Sequence, residues 1–288
     1  MKNKKSKKPL SKPKKIIKTI LIILLVIVLI PVVVFGSSAI ICTALPGKEA
    51  APETITNPYI SLDRTLVSAH RSGGGIAPEN TLMAFENCIN SENFNVDIFE
   101  FDLHITKDGK LILLHDETLD RTTNSKEAYG EEGVLPITKT YAELRELNFG
   151  ENFCDENGNY PYRGLRGDDI PDNLRALLLE DVLDYLQSNG DFGYIIEIKN
   201  GGEDGFRAAD ELYRILGEKN LLGNVIFGTV HGEVSDYVDE HCPKLMRSAS
   251  IKETVMYYFA CSFGIELNKD FYKFEALQIP ANQYVIFR

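Results

Sequence analysis

Two carboxylates on one predicted strand, Glu100 and Asp102, are the residues most suited to catalysis. Residues i and i+2 of a strand project to the same side, so both carboxylates face one way within an apolar run. Like charges so close raise each other's pKa unless a cation neutralises them, and the same spacing returns in Glu197 and Lys199. The pattern predicts that Glu100, Asp102 and Glu197 form a site for one divalent cation, Mg²⁺ or Ca²⁺. Internal salt bridges, for example with Lys199, are the structural alternative.

Two histidines, His70 and His115, end predicted strands on either side of these carboxylates. Near neutral pH one imidazole can accept a proton while another donates one, which is the requirement of acid–base catalysis. Arg71 follows His70 and offers a planar pair of donors that suits phosphate oxygens. His104 shares the carboxylate face only if its strand continues, and the turn at 106–109 leads us to expect it on the rim.

Short apolar runs that alternate with helical patterns must position these side chains. The predicted strands are 66–70, 98–103, 110–115, 194–198 and 225–230, with weaker ones near 245–247 and 275–279. Continuous apolar runs are typical of strands covered on both faces. The alternation predicts an α/β domain with a parallel sheet, a TIM-type (β/α)8 barrel, whose active site lies at the carboxyl ends of its strands. An open doubly wound sheet is the alternative, although no dinucleotide-binding glycine motif follows any strand.

The helices between these strands begin with recognisable capping residues. Asn80 is a predicted N-cap for a helix over 81–90. Thr140 and Glu143 form a predicted capping box that opens a helix over 141–147. Further helices are predicted over 180–187, 206–218 and 253–263.

Charge is distributed unevenly along the 288 residues. The chain is 44% hydrophobic and 25% charged, which is ordinary globular composition, and its formal net charge is −11. Residues 1–48 hold ten lysines and no acid, which leaves 21 basic and 42 acidic side chains in residues 49–288. A body so acidic repels phosphate backbones, so we expect no nucleic-acid partner.

The lysine-rich start precedes a long apolar segment. We expect a basic cytoplasmic leader over 1–18, a transmembrane signal-anchor over 19–45 and a linker over 46–61. A cleaved signal peptide is the alternative, but its apolar core is usually only about 7–15 residues long. Both interpretations keep the lysines in the cytoplasm and put the body outside the cell. The barrel domain then covers 62–288, with a polar insertion at about 117–176.

Together these motifs resemble the glycerophosphodiester phosphodiesterase family. The resemblance rests on the order and spacing of His70-Arg71, Pro78-Glu79-Asn80-Thr81, Glu100-x-Asp102, Thr106-x-Asp108-Gly109, His115-Asp116, Arg121-Thr122-Thr123 and Glu197-x-Lys199. It implies a metal-dependent TIM barrel that cleaves glycerophosphodiesters to glycerol phosphate and an alcohol.

The resemblance also implies roles for individual residues. Glu100, Asp102 and Glu197 match metal ligands of the family, His70 and His115 match its acid and base, and Arg71 and Lys199 match its phosphate-binding residues. The family continues past the strand near 275–279, whereas this chain has no tryptophan and stops at Arg288, so we expect the last strand or strands to be missing.

Two other functions remain open at this point. A barrel glycoside hydrolase also uses paired carboxylates, but it has no need of the two histidines or of Arg71. A non-catalytic envelope protein that binds glycerophosphate polymers fits the location and the expected missing strands. The outside location favours small-molecule or polymeric glycerophosphodiesters as substrates.

Overall fold

A computed structural model describes residues 12–44, 59, 64–265 and 273–279. The chain divides into two compact units, Met1–Pro52 with Val255–Asn268, and Glu53–Thr254 with Lys269–Arg288. The described helices are α1 (Lys12–Ala44), α2 (Leu82–Ile89), α3 (Ser125–Tyr129), α4 (Tyr141–Arg145), α5 (Leu179–Asn189), α6 (Gly202–Glu218), α7 (Gly232–His241) and α8 (Ile251–Phe263). The strands are β1 (Ser68–Ala69), β2 (Ile98–Ile105), β3 (Leu111–Leu113), β4 (Gly193–Ile198) and β5 (Val225–Gly228).

The N-terminal helix α1 is apolar along most of its length. Its stretch Lys15–Val34 has a mean hydropathy of 3.2 and is long enough to cross a membrane, which fits either a signal sequence or an anchor. Pro31 lies inside the helix, which begins at Lys12, before the predicted apolar span. The predicted linker over 46–61 lies outside the described residues apart from Tyr59.

The second unit is built on a sheet whose parallel strands follow one another in the order β1-β2-β4-β5. Parallel single-residue bridges extend the sheet from Phe227 to Arg247 and from Ser248 to Ala276. Strands that follow chain order, with helices between most of them, are the arrangement of an α/β barrel. Residues 280–288, which bear on the expected missing strands, lie outside the described part of the chain.

Strand β2 runs through the centre of the core, and all eight of its residues are buried. On one face Phe99 and Phe101 pack against Phe85 of α2, with ring centroids 5.1 and 5.7 Å apart. Alternation along the strand turns Glu100 and Asp102 to the opposite face. The aromatic packing therefore fixes which way the two carboxylates point.

Strand β3 corrects the expectation of an all-parallel set. It pairs antiparallel to β2, with Leu103 opposite Leu113 and Ile105 opposite Leu111. The predicted strand over 110–115 follows β2 after a turn at Gly109, whose φ is 76°. A parallel neighbour needs a crossover of a dozen or more residues, so this short connection permits only a hairpin.

The polar insertion packs against β3 through a second, smaller core. Eight buried residues form it: Ile112, Leu114, Leu119, Val134, Leu144, Leu147, Phe149 and Ala176. The predicted capping box is confirmed, because Thr140 accepts from the Glu143 N–H while Glu143 accepts from the Thr140 N–H. Helix α3 in the same segment was not predicted. The insertion is thus a packed layer over β3 rather than an unstructured loop.

Candidate functional site

Three carboxylates predicted as metal ligands converge on one face of the sheet. Parallel pairing of β2 with β4 sets Asp102 opposite Glu197, and Glu100 lies two residues earlier on the same face. One oxygen from each of the three lies within 4.8 Å of the others, and Glu100 and Asp102 are buried. The register of two neighbouring strands is therefore what assembles the cluster.

Negative charge in this carboxylate cluster exceeds its positive charge. Lys199 Nζ lies 3.0 Å from Asp102 Oδ1 and 2.8 Å from Glu197 Oε2, so the salt bridges considered from the sequence do form. These two salt bridges do not neutralise all three carboxylates. Burial is the main cause that raises the pKa of Glu100 to about 7, and the Asp102 charge is the next largest. Buried Asp102 Oδ1 also accepts no well-directed hydrogen bond from the described residues. Oxygen ligands with unneutralised charge are what Mg²⁺ and Ca²⁺ prefer, so the cluster fits a divalent cation.

Asn80 is a site residue that sequence reasoning assigned elsewhere. Its Nδ2 donates to Asp102 Oδ2 at 2.9 Å, and its φ of 56° turns it towards the carboxylate. The predicted N-cap role is wrong, because Thr81 caps α2 by accepting from the Ala84 N–H. The amide fixes one oxygen of Asp102 and leaves the other towards the carboxylate cluster.

The turn after β1 carries His70 and Arg71 to the carboxylate cluster. Arg71, Ser72 and Gly73 all have positive φ, and a Cβ on Gly73 would lie 2.4 Å from Cys88 Sγ. This bend directs the Arg71 backbone N–H to Glu100 Oε2 at 2.6 Å. His70 Nε2 lies 3.9 Å from the same oxygen, and its side chain is 73% exposed. Partial burial and the Arg71 charge lower the pKa of His70.

His115 reaches the site because β3 folds back beside β2. Its Nε2 lies 2.8 Å from Arg71 Nη2, and its Nδ1 lies 2.8 Å from Asp116 Oδ1. A guanidinium only donates hydrogen bonds, so His115 Nε2 must be the acceptor. The ring proton is then on Nδ1, which donates a hydrogen bond to Asp116. We infer a neutral imidazole whose Nε2 lone pair is directed at the Arg71 guanidinium.

These contacts belong to a closed set of hydrogen-bonded polar side chains, the ionic ring, which consists of Arg71, His115, Asp116, Arg121 and Glu79. Arg121 joins Asp116 to Glu79, and Glu79 lies 3.3 Å from Arg71 Nη1. Sequence reasoning noted these residues only as parts of motifs and gave roles to Arg71 and His115 alone. The acidic residues Glu79 and Asp116, which are close in sequence to Arg71 and His115, could have indicated these contacts.

His104 departs from its predicted position. It is 3% exposed rather than at the rim, because β2 continues to Ile105, whose N–H donates to Asn200 Oδ1 at 2.9 Å. Burial lowers the pKa of His104 to about 4, so its imidazole is neutral. Its Nε2 has no hydrogen-bond partner in the part of the chain that the structure describes.

Two cavities are lined by side chains that the sequence predicted for the site. His70 and Arg71 line one of about 560 Å³, together with the loop after β1. His115 and Lys199 line another of about 400 Å³, which His104 also borders. Each predicted catalytic histidine therefore faces a space large enough for a small ligand arm.

Comparison with models of protein families establishes the family of this chain. The model of the glycerophosphoryl diester phosphodiesterase family matches residues 70–248, which is more than half of the chain. The chain belongs to the glycerophosphoryl diester phosphodiesterase family. The resemblance noted in the sequence is thereby confirmed.

Relatives of the family with curated names match parts of the chain. A glycerophosphodiester phosphodiesterase of Bacillus subtilis is 32% identical over 194 residues, which cover 65% of this chain and 59% of the relative. One of Bacillus altitudinis is 37% identical over 136 residues, covering 47% of this chain and 46% of the relative. The chain thus spans about half the length of the curated relatives it matches.

Solved structures of the family share the fold. The glycerophosphoryl diester phosphodiesterase domain of a Mycobacterium tuberculosis protein superposes with a TM-score of 0.57 at 19% identity, covering 71% of this chain and 66% of that domain. An Oleispira antarctica phosphodiesterase, in complex with the product sn-glycerol-3-phosphate, gives 0.50 at 20% identity and covers 68% and 72%. The predicted TIM-type barrel class is confirmed.

Proposed function

We propose that this protein hydrolyses glycerophosphodiesters to glycerol phosphate and an alcohol, with a divalent cation as cofactor. The observation that carries the proposal is the cation-deficient cluster of Glu100, Asp102 and Glu197, with the two histidines beside it. The Oleispira relative that is bound to sn-glycerol-3-phosphate supports the expected product class. Family membership supports the reaction type.

Glu100, Asp102 and Glu197 would hold the cation, which is Mg²⁺ or Ca²⁺. When bound, the ion would draw charge from a phosphoryl oxygen as a Lewis acid. Arg71 and Lys199 add positive charge for the same phosphate. The buried Arg71 Nε has no hydrogen-bond partner among the described residues, and the planar guanidinium matches the paired oxygens of a phosphate.

The histidines move the protons. His115 Nε2 is an acceptor here, so we assign it the proton of the nucleophile, which is water or the adjacent glycerol hydroxyl. As the new P–O bond forms, the bond to the alcohol breaks and His70 donates its proton to the departing alkoxide. Partial burial and the Arg71 charge lower the pKa of His70, which makes its imidazolium a stronger acid. Attack by the glycerol hydroxyl would give a cyclic phosphate that water then opens.

Helix α1 and the charge asymmetry support a location for the protein. We propose that residues 1–18 stay in the cytoplasm, 19–45 anchor the chain and the catalytic domain faces outside. Lipid-derived glycerophosphodiesters or glycerol-phosphate polymers of an envelope are then the accessible substrates. Protease added to intact cells should remove the domain, and protection of the domain would contradict this topology.

The decisive experiment measures turnover by the purified full chain in mild detergent. Glycerophosphocholine, glycerophosphoethanolamine and glycerophosphoglycerol are offered with Mg²⁺, with Ca²⁺ or with EDTA. We expect release of glycerol phosphate with one of the metals and none with EDTA. Metal-independent binding of a glycerol-phosphate polymer without turnover would instead favour the non-catalytic alternative.

Histidine variants test the assigned proton transfers. His70→Ala and His115→Ala should each lower turnover by about 10²-fold or more, because each removes one proton-transfer group. Circular dichroism and thermal unfolding should match the wild type. Unchanged turnover in either folded variant would remove that histidine from the mechanism.

A further inference from the structure

Arg121 is a half-exposed arginine of the ionic ring, with 46% of its side chain exposed and no role in the steps described above. Its Nε and Nη2 donate to Asp116 at 2.5 and 2.9 Å, and its Nη1 and Nη2 donate to Glu79 at 3.0 and 2.6 Å. Four of its five N–H groups are thus committed to two carboxylates. An arginine so fully engaged has little left with which to hold a substrate.

We propose that Arg121 is a positioning residue that keeps His115 and Arg71 in their catalytic orientation. It acts on His115 through Asp116 and on Arg71 through Glu79. The inference rests on the proposed phosphodiesterase function and assigns to that function a residue outside the metal, proton-transfer and phosphate-binding groups.

The arm through Asp116 controls the orientation of the imidazole. Asp116 Oδ1 accepts hydrogen bonds from both His115 Nδ1 and Arg121 Nη2, and Asp116 Oδ2 accepts one from Arg121 Nε. Asp116 lies on a loop, and its side chain is 28% exposed. Without the two bonds from Arg121, its carboxylate could rotate away from His115. Loss of that acceptor would free the His115 ring and its tautomer.

The arm through Glu79 controls the availability of Arg71. Glu79 is 15% exposed and accepts from both arginines, but it lies 2.6 Å from Arg121 and 3.3 Å from Arg71. The shorter contacts of Arg121 satisfy most of the Glu79 charge. Glu79 therefore holds Arg71 only weakly. Removing Arg121 would turn Glu79 into a strong partner for Arg71, in competition with the substrate phosphate.

The test compares kcat and KM for Arg121→Gln, Arg121→Lys and the wild type, with a glycerophosphodiester and the preferred metal. Arg214→Gln is the matched control, because Arg214 is 43% exposed and contacts Glu180, Glu211 and Glu218, none of which lies in the site. We expect Arg121→Gln to lower kcat by about 10- to 100-fold and to raise KM. Arg121→Lys, which keeps the charge but loses the fork, should recover part of the loss, and Arg214→Gln should match the wild type.

A mutant cycle separates positioning from direct substrate contact. If Arg121 acts only through its two carboxylate partners, adding Arg121→Gln to a variant that already carries Asp116→Asn and Glu79→Gln should lower kcat less than about threefold further. Full multiplication of the kcat effects would overturn the proposal, because Arg121 would then act independently of both carboxylates. Equal kinetics in Arg121→Gln and Arg214→Gln would overturn it as well.

Imidazole ¹⁵N NMR provides a measurement that needs no turnover. His115, assigned by its loss in His115→Ala, should show a protonated Nδ1 in the wild type and in Arg214→Gln. A mixture of tautomers is expected in Arg121→Gln, and an unchanged His115 spectrum there would overturn the proposal. An inactive wild type with the expected NMR change would contradict the phosphodiesterase function and not the positioning.

Discussion

Two clusters of buried charge in the second unit are built in opposite ways. The carboxylate cluster of Glu100, Asp102 and Glu197 has too little positive charge. The second cluster surrounds Arg247, whose side chain is 4% exposed. Arg247 donates to both oxygens of Asp239 at 2.6 and 2.9 Å and to both oxygens of Glu253 at 2.8 and 2.9 Å. Its charge is fully compensated.

The pKa values of the two clusters move in opposite directions for that reason. Burial alone would raise the pKa of Glu253, but the hydrogen bonds from Arg247 and Ser250 together outweigh it and lower the pKa to about 2. Burial and the Asp102 charge raise the pKa of Glu100 to about 7. A buried charge that the fold satisfies contributes to stability, whereas one that the fold leaves unsatisfied is available to a ligand.

The largest effect expected from this difference is on turnover. Glu100→Gln should lower turnover by about 10³-fold or more, because it removes a cation ligand worth several kcal/mol of transition-state stabilisation. The cation-free variant should unfold at the same temperature as the wild type or higher, since one repulsive charge is gone. Steady-state kinetics with added metal and thermal melts in EDTA measure the two effects. Retained activity would show that the carboxylate cluster is not the cation site.

The Arg247 cluster should respond in the opposite sense. Arg247→Gln should lower the free energy of unfolding by about 3–5 kcal/mol, because it removes the buried guanidinium that Asp239 and Glu253 share. Turnover per folded molecule should be unchanged. Arg64→Gln is the matched control, since Arg64 pairs with Asp97 but is 58% exposed, so we expect a much smaller loss. Equal losses in the two arginine variants, measured by denaturant titration, would contradict the comparison.

The sequence alone predicts those features of the fold and of the clusters that are determined by residues close together in the chain. The spacing of Glu100 and Asp102, the capping box of α4 and the apolar runs of the strands are properties of adjacent residues, so they predicted the sheet and the carboxylate cluster well. The hairpin of β3 was also local, and the short connection at Gly109 was the overlooked signal.

The remaining features depend on residues distant in the chain. His104 is buried because Asn200 covers the end of β2, and no pattern around residue 104 indicates that contact. The ionic ring joins Glu79 to Arg121 across 42 positions through loops whose paths no periodicity describes. Tertiary placement of loops, rather than the strands or helices, is what sequence reasoning could not reach here.

The smallest expected effect is the pH dependence of stability, measured without added metal. Glu100 has a folded pKa of about 7, above its ordinary value of 4.5, so its folded state holds the proton more tightly than the unfolded state. Its contribution to stability is therefore present below pH about 4.5 and is lost as pH rises through 7. In EDTA the wild type should melt at a lower temperature at pH 8.5 than at pH 6, and Glu100→Gln should flatten this slope.

Glu253 should produce the mirror-image slope. Its pKa of about 2 lies below 4.5, so its contribution is present above pH 4.5 and is lost as pH falls towards 2. Glu253→Gln should flatten the acid side of the melting profile and leave the alkaline side unchanged, whereas Glu100→Gln should do the reverse. If both variants altered the same side, the two clusters would not differ in charge compensation, and the distinction between the ligand site and the structural cluster would fail.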